Sequence, residues 1–211
     1  MANPTNTTEL EAVNRMLSTI GIARVTSITN AAADAREDIQ EALAILTEVT
    51  REVQKDGWEF NTDREWSLTP TANKFTIPVN AMQVTFPRKL YPSGKGPGPR
   101  FTVRDDGGTR TVWDKDAHTF TITDLSEIKV DIVRSYEFVD LPEAARWYIL
   151  IRAARQFANA MLSGQESIRG FTERDEFQAY AALREAEGET ADYSIFDSND
   201  VAFILDRQGG F

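Results

Sequence analysis

The chain has 211 residues, room for one substantial domain or two small ones, and its 41% hydrophobic content suffices for a packed core. It has no cysteine, which excludes disulfides, thiolate nucleophiles and Cys-ligated metals, and it has neither a signal-peptide pattern nor an apolar run near the ~20 residues that span a bilayer. Its 23 basic and 33 acidic residues leave a net charge of −10, which repels phosphate backbones and argues against a sequence-reading nucleic-acid binder, although a like-charged wall suits a conduit along which DNA slides.

In chain order, the first predicted helix opens on a capping box, Thr8 with Glu11, carries Leu10, Val13, Leu17 and Ile20 along one face, and closes at Gly21. A second helix is predicted from about Ala31 to Asp56. Its apolar stripe is Ala35, Ile39, Ala42, Leu46, Val49 and Val53, an a/d pattern that needs a helical partner, and Arg36, Glu37, Glu41, Glu48, Arg51 and Glu52 occupy the other face. Gly57 is suited to the left-handed conformation that closes this helix, and the alternation in Trp58-Glu59-Phe60-Asn61 predicts that a strand begins there.

From Trp58 to about Phe138 the runs are short and β-rich: Lys74–Ile77, Gln83–Phe86, Thr111–Trp113, Thr119–Ile122 and Lys129–Val133. They predict a small antiparallel sheet or barrel, with Asp106-Gly107-Gly108 as a hairpin turn and the Gly- and Pro-rich stretch Pro92–Pro99 as a mobile loop. Helix returns near Asp140, where Asp140 and Glu143 read as a capping box around Pro142. Trp147, Leu150, Ile151, Ala154, Phe157 and Met161 form its apolar face up to Gly164. A more polar helix is predicted over Thr172–Glu187, with Phe177, Tyr180 and Leu183 inward and Gly188 as its stop. Val201, Phe203, Ile204 and Leu205 then mark Asp192–Phe211 as a strand or an arm that orders against a partner.

Helices at both ends with strands between them predict an α+β fold. The helical bundle is built from residues 1–56 and 140–191, an antiparallel β module at 57–139 is inserted into it, and 192–211 forms a C-terminal arm.

Catalytic signatures do not assemble. The single histidine, His118, is placed in a candidate strand with no nucleophile motif near it, and neither HExxH nor Gly-x-Ser-x-Gly occurs. Gly94-Lys95-Gly96 lacks the spacing of a phosphate loop. Asp114-Lys115-Asp116 opens like a calcium loop but has Thr119 where glycine is needed and Leu125 where glutamate is needed. No cofactor is implied. Carboxylates are abundant enough to furnish a glycosidase pair somewhere, but Glu173, Asp175 and Glu176 read as helix-start charges and Asp105-Asp106 as turn chemistry. Trp58, Trp66, Trp113 and Trp147 are placed in the core or at subunit interfaces.

The order Thr8–Gly21, then Lys55-Asp56-Gly57-Trp58-Glu59-Phe60-Asn61, then Leu141-Pro142-Glu143 and Arg155-Gln156-Phe157-Ala158-Asn159 resembles the tail tubular protein A family of T7-like short-tailed bacteriophages. That resemblance implies a structural virion protein made in the host bacterial cytoplasm and carried in the tail. It implies a homo-oligomeric, generally dodecameric ring that binds the capsid portal protein on one side and the tail nozzle, tail tubular protein B, on the other, with genomic DNA passing through the lumen. Within that reading Lys95 in the Gly/Pro loop and Phe203, Ile204, Leu205 and Phe211 in the arm are the candidate partner-binding residues. The competing expectation is a virion-associated hydrolase of polysaccharide or peptidoglycan that uses two carboxylates.

Overall fold

The computed structural model describes residues 6–29, 36–95, 98–162 and 170–190. The fold is α+β, and its elements follow the predicted order.

Helix α1 spans Glu9–Thr19. The capping box is present as read: Thr8 Oγ1 accepts the Glu11 N–H at 3.2 Å and the Glu11 carboxylate accepts the Thr8 N–H at 2.8 Å. Gly21, with φ +78°, turns the chain out of the helix. Asn14 then pins the connection by exchanging two hydrogen bonds with the backbone of Val25, at 2.6 and 2.9 Å.

Helix α2 spans Glu37–Gln54, and Ile39, Ala42, Leu46, Val49 and Val53 of the predicted stripe are buried. The predicted start at Ala31 and the stripe residue Ala35 lie outside the described residues. Helix α3, Glu143–Leu162, is central and packs against α1, α2 and the last helix, α4, Glu173–Thr190. Together they enclose a core that includes Met16, Leu17, Ile39, Leu46, Ile149, Phe157 and Leu183. Each large apolar side chain buried this way contributes about 1.5–3 kcal/mol relative to exposure, so periodic apolar faces are sufficient to specify the bundle.

Several local readings are corrected in the helices. Asp140 lies in a 3-10 turn, Phe138–Asp140, and not in a capping box; the Glu143 carboxylate instead accepts the backbone N–H of Thr7, at 2.8 Å, and its hydroxyl, at 2.5 Å. Trp147 and Met161 lie at the solvent edge of α3, with Trp147 edge-on to Phe171 at 6.3 Å. Phe177 is 70% exposed, because the face α4 turns inward runs through Ala179 and Leu183. Residues three apart on a helix drift by about 60° per step, so Phe177 and Leu183 cannot share one face. Helix α4 also continues through Gly188 instead of stopping there.

Five strands follow α2: β1 (Thr62–Leu68), β2 (Ala81–Thr85), β3 (Phe101–Asp106), β4 (Thr109–Asp114) and β5 (Ile128–Arg134). An antiparallel sheet of order β1-β5-β2 packs with a separate antiparallel hairpin, β3-β4. The central strand β5 alternates as a half-buried strand should, with Ile128, Val130 and Ile132 inward over Phe75, Phe101, Val112 and Ile122. The hairpin turn is the two-residue Gly107-Gly108, with φ +63° and +88°, as type I′ geometry requires.

Four β readings change. Trp58–Asn61 is not strand: Glu59–Asn61 is a 3-10 turn. The Asn61 side chain causes this, since its Oδ1 accepts the Trp58 N–H at 2.8 Å and folds the segment back on itself. Lys74–Ile77 runs extended beside β4 through Ile77 N–H to Arg110 O and Val112 N–H to Phe75 O, and Thr119–Ile122 forms no strand, making a bridge from Thr119 to Asp114 and one bond from Ile122 N–H to Asn73 O at 2.9 Å. His118 sits in the exposed turn before that bridge, at φ +53°, and not in a strand.

The chain leaves the bundle at 55–61 and returns at 134–142, and polar side chains bind the two crossings together. Gln54 donates to Tyr136 O at 3.0 Å and accepts the Tyr136 N–H at 2.8 Å. The Asn61 amide donates to Gln54 O and to Arg134 O, at 2.8 and 2.9 Å.

Candidate interaction surfaces

The Gly/Pro loop is anchored at both ends. Ser93 N–H donates to Gly98 O at 3.1 Å and Arg100 N–H to Tyr91 O at 2.8 Å, so Pro92 and Pro99 face each other across its base. Asp116 holds one arm: its carboxylate accepts the Ser93 hydroxyl at 2.6 Å and the Gly94 N–H at 2.8 Å, which hold it below the usual carboxylate range. Lys95, the candidate contact residue, is exposed and its ammonium donates to Asp116 O at 2.5 Å.

Asp114, the first residue of the calcium-like stretch, is 1% exposed. Burial pushes its carboxyl upward, but the Arg100 guanidinium and the Ala117 and Asp116 N–H groups outweigh that, and it lies below its ordinary value. Arg100 spans two acids, donating to Asp114 at 2.6 and 2.9 Å and to Asp124 at 2.7 Å. Both carboxylate oxygens of Asp114 and of Asp116 accept hydrogen bonds from this region, from Arg100, Ser93 and backbone N–H groups. Among the described residues no group of three His, Asp or Glu side chains is arranged to hold a metal ion.

A glycosidase needs one carboxyl raised toward neutrality. Among the described residues, the carboxyls displaced from their ordinary values all lie lower: Glu11 and Asp175 through backbone N–H groups of Thr8 and Thr172, Asp38 and Asp124 through Arg36 and Arg100, and Asp114 and Asp116 as described. Glu173 and Glu176 both bind Arg155 across the α3-α4 seam. Each of these carboxylates is doing capping, turn or ion-pair work.

Several large apolar side chains are also exposed. Trp66 (45%), Leu90 (51%) and Phe177 (70%) are open to solvent, and Val79 is wholly so. Val79 stands at the rim of a cleft of about 400 Å³ between α2 and the β module, lined also by Leu46, Thr50, Arg51, Tyr136 and Phe138. Of the four tryptophans only Trp58 is buried, its Nε1–H donating to Val53 O at 2.7 Å. The arm residues Phe203, Ile204, Leu205 and Phe211 lie outside the described residues.

Sequence reasoning missed the polar pins. Arg146 is 8% exposed and donates to the carbonyls of Leu141, at 2.7 Å, Thr7, at 3.0 Å, and Val139, fastening the N-terminal segment to the start of α3. An arginine one residue from Trp147 on a predicted helix reads as solvated surface, and only the fold reveals those carbonyls.

Residues 10–193 match the family model described as Tube: Tail tubular protein, a span that takes in both the helices and the β module. No curated protein matches the sequence.

Proposed function

Because this chain belongs to the tail tubular protein family of phages, it is a structural component of the virion tail, and we propose that it is the ring-forming adaptor joining the capsid portal to the tail nozzle and lining the DNA ejection channel. The observation that carries this reading is the match over residues 10–193, which engages the whole bundle-plus-insert construction and not one motif. The proposed assembly is a dodecamer. It would carry on the order of −120 charges (12 × −10) before counterions, so its interfaces require local pairing of opposite charge. Like charge on the channel wall lets DNA slide, because few counterions are released on contact.

Within this reading the helical bundle, 1–56 with 140–191, and the β module, 57–139, are separate domains, and 192–211 is an arm. The arm, with Phe203, Ile204, Leu205 and Phe211, and the Lys95 loop engage the portal or the nozzle. Synthesis takes place in the host cytoplasm, and the protein has no enzymatic role.

The test is native mass spectrometry and electron microscopy of the purified protein, alone and mixed with the portal of its phage. Rings, or caps on the portal, are expected; monomers that ignore the portal overturn the adaptor reading. Deleting Val201–Phe211 is expected to leave a folded subunit that docks poorly, and full-affinity docking by the truncated chain would remove the arm from the account.

A further inference from the structure

The net charge is unevenly distributed. Residues 57–139 contain 11 of the 23 basic and 11 of the 33 acidic residues and are neutral, so the remaining 12 basic and 22 acidic residues place the whole −10 outside the β module. Two such subunits meeting bundle to bundle repel each other. A closed head-to-tail ring needs two different surfaces that complement each other.

The β module supplies a basic surface. Residues 87–100 contain Arg88, Lys89, Lys95 and Arg100 and no acid. Arg100 is committed to Asp114 and Asp124 and Lys95 to Asp116 O, whereas Arg88 and Lys89 are exposed with no carboxylate partner among the described residues. Between them and the sheet, Leu90 is 51% exposed. This turn is built rigidly: Pro87 O accepts the N–H groups of both Leu90, at 3.0 Å, and Tyr91, at 3.1 Å. The Tyr91 hydroxyl accepts the Lys129 N–H at 2.8 Å, and the rings of Tyr91 and Phe86 lie 5.3 and 6.0 Å from that of Phe101. A preorganised turn loses little entropy when it docks.

The complementary surface is on α2. Glu41, Ala44 and Glu48 are exposed along one helical stripe, Glu37 extends it, and none of the three glutamates has a basic partner among the described residues; Asp38 and Glu52, by contrast, are already paired with Arg36 and Arg152. Glu41 and Glu48 stand about 10.5 Å apart along the axis, with the small Ala44 leaving space between them.

We propose that the Arg88-Lys89-Leu90 turn docks on the Glu41-Ala44-Glu48 stripe of a second copy of this chain, Leu90 against Ala44 and the two cations against the flanking glutamates. The proposal rests on the ring reading above and specifies its interface. DNA is the less favoured occupant, since two cations around an exposed leucine offer only about two phosphate contacts and an apolar centre that phosphate does not need.

The chain has no cysteine of its own, so introduced thiols report this contact cleanly. Leu90→Cys protein mixed with Ala44→Cys protein under mild oxidation is expected to give a covalent dimer that neither variant gives alone. In parallel, R88E/K89E and E41K/E48K, each checked for folding by circular dichroism, are expected to raise the concentration for half-assembly by about tenfold at ~0.1 M salt, and the four changes combined are expected to restore it. Rings from the unaltered protein, with no mixed crosslink and no effect of charge reversal, overturn this inference and leave the adaptor reading standing. Absence of any self-association overturns both. Loss of duplex-DNA retardation on R88E/K89E with assembly unchanged reassigns the turn to phosphate and likewise overturns it.

Discussion

The bundle and the β module are stabilised in different ways. The bundle buries side chains from four helices whose apolar periodicity is regular, and its cohesion is distributed over many interchangeable contacts. The β module has a smaller core, and its long connections are held by single carboxylates, Asp114 and Asp116, each fixing several loop groups at once. Cavities therefore threaten the bundle, whereas loss of individual charges threatens the module.

The sharpest test of that contrast is Phe157→Ala. Phe157 is wholly buried in the bundle, and its truncation is expected to cost about 3–5 kcal/mol in chemical denaturation. A loss below about 1 kcal/mol would show that the bundle closes over cavities and would break the comparison. Asn61→Ala comes next. It leaves the Trp58 N–H and the carbonyls of Gln54 and Arg134 without their partner and is expected to cost about 2–3 kcal/mol. If the module and the bundle then melt in two steps where the parent melts in one, Asn61 is what makes them cooperate.

Asp114→Asn is expected to cost about 1–3 kcal/mol, because Arg100 keeps Asp124. The pH dependence follows from the depressed carboxyl of Asp114. Its contribution is complete above the unfolded value of about 3.9 and is lost as the pH falls through the lower folded value, so the β module should loosen in acid below about pH 4, and D114N should flatten that part of the profile. Hydrogen exchange resolved by residue would separate module from bundle. The smallest effect is expected at Thr8→Ala, about 1 kcal/mol from loss of the α1 cap, read as a shift in denaturation midpoint.

The sequence was most legible where structure is local. The Thr8-Glu11 box, the stripe from Ile39 to Val53 and the Gly107-Gly108 hairpin each follow from residues a few positions apart. Gly57 also takes its left-handed φ, +76°, and a Cβ there would stand 3.1 Å from Val133 Cγ2. Legibility ended where a side chain bonds across the chain. Gln54 meets Tyr136 82 positions away and Asn61 meets Arg134 73 away, and the turn that replaces the strand pattern at Trp58–Asn61, closed locally by Asn61 on Trp58 N–H, is tied to the rest of the fold by these long-range partners. The candidate interface residues divided in the same manner. Lys95 was identifiable as an exposed loop cation, but its tether to Asp116 was not, and the fixed Arg88-Lys89-Leu90 turn depends on Tyr91, Phe101 and Lys129 converging from three segments.

The paired crossings between bundle and β module have a mechanical consequence. Two chain segments run side by side there, cross-linked by Gln54 and Asn61. A pull on the module is shared by both segments and by three hydrogen bonds between them at once, and a twist meets two separated attachment points instead of one swivel. The joint behaves as a stiff bracket, so a displacement imposed on the strands is passed to α2 and α3 without being absorbed on the way.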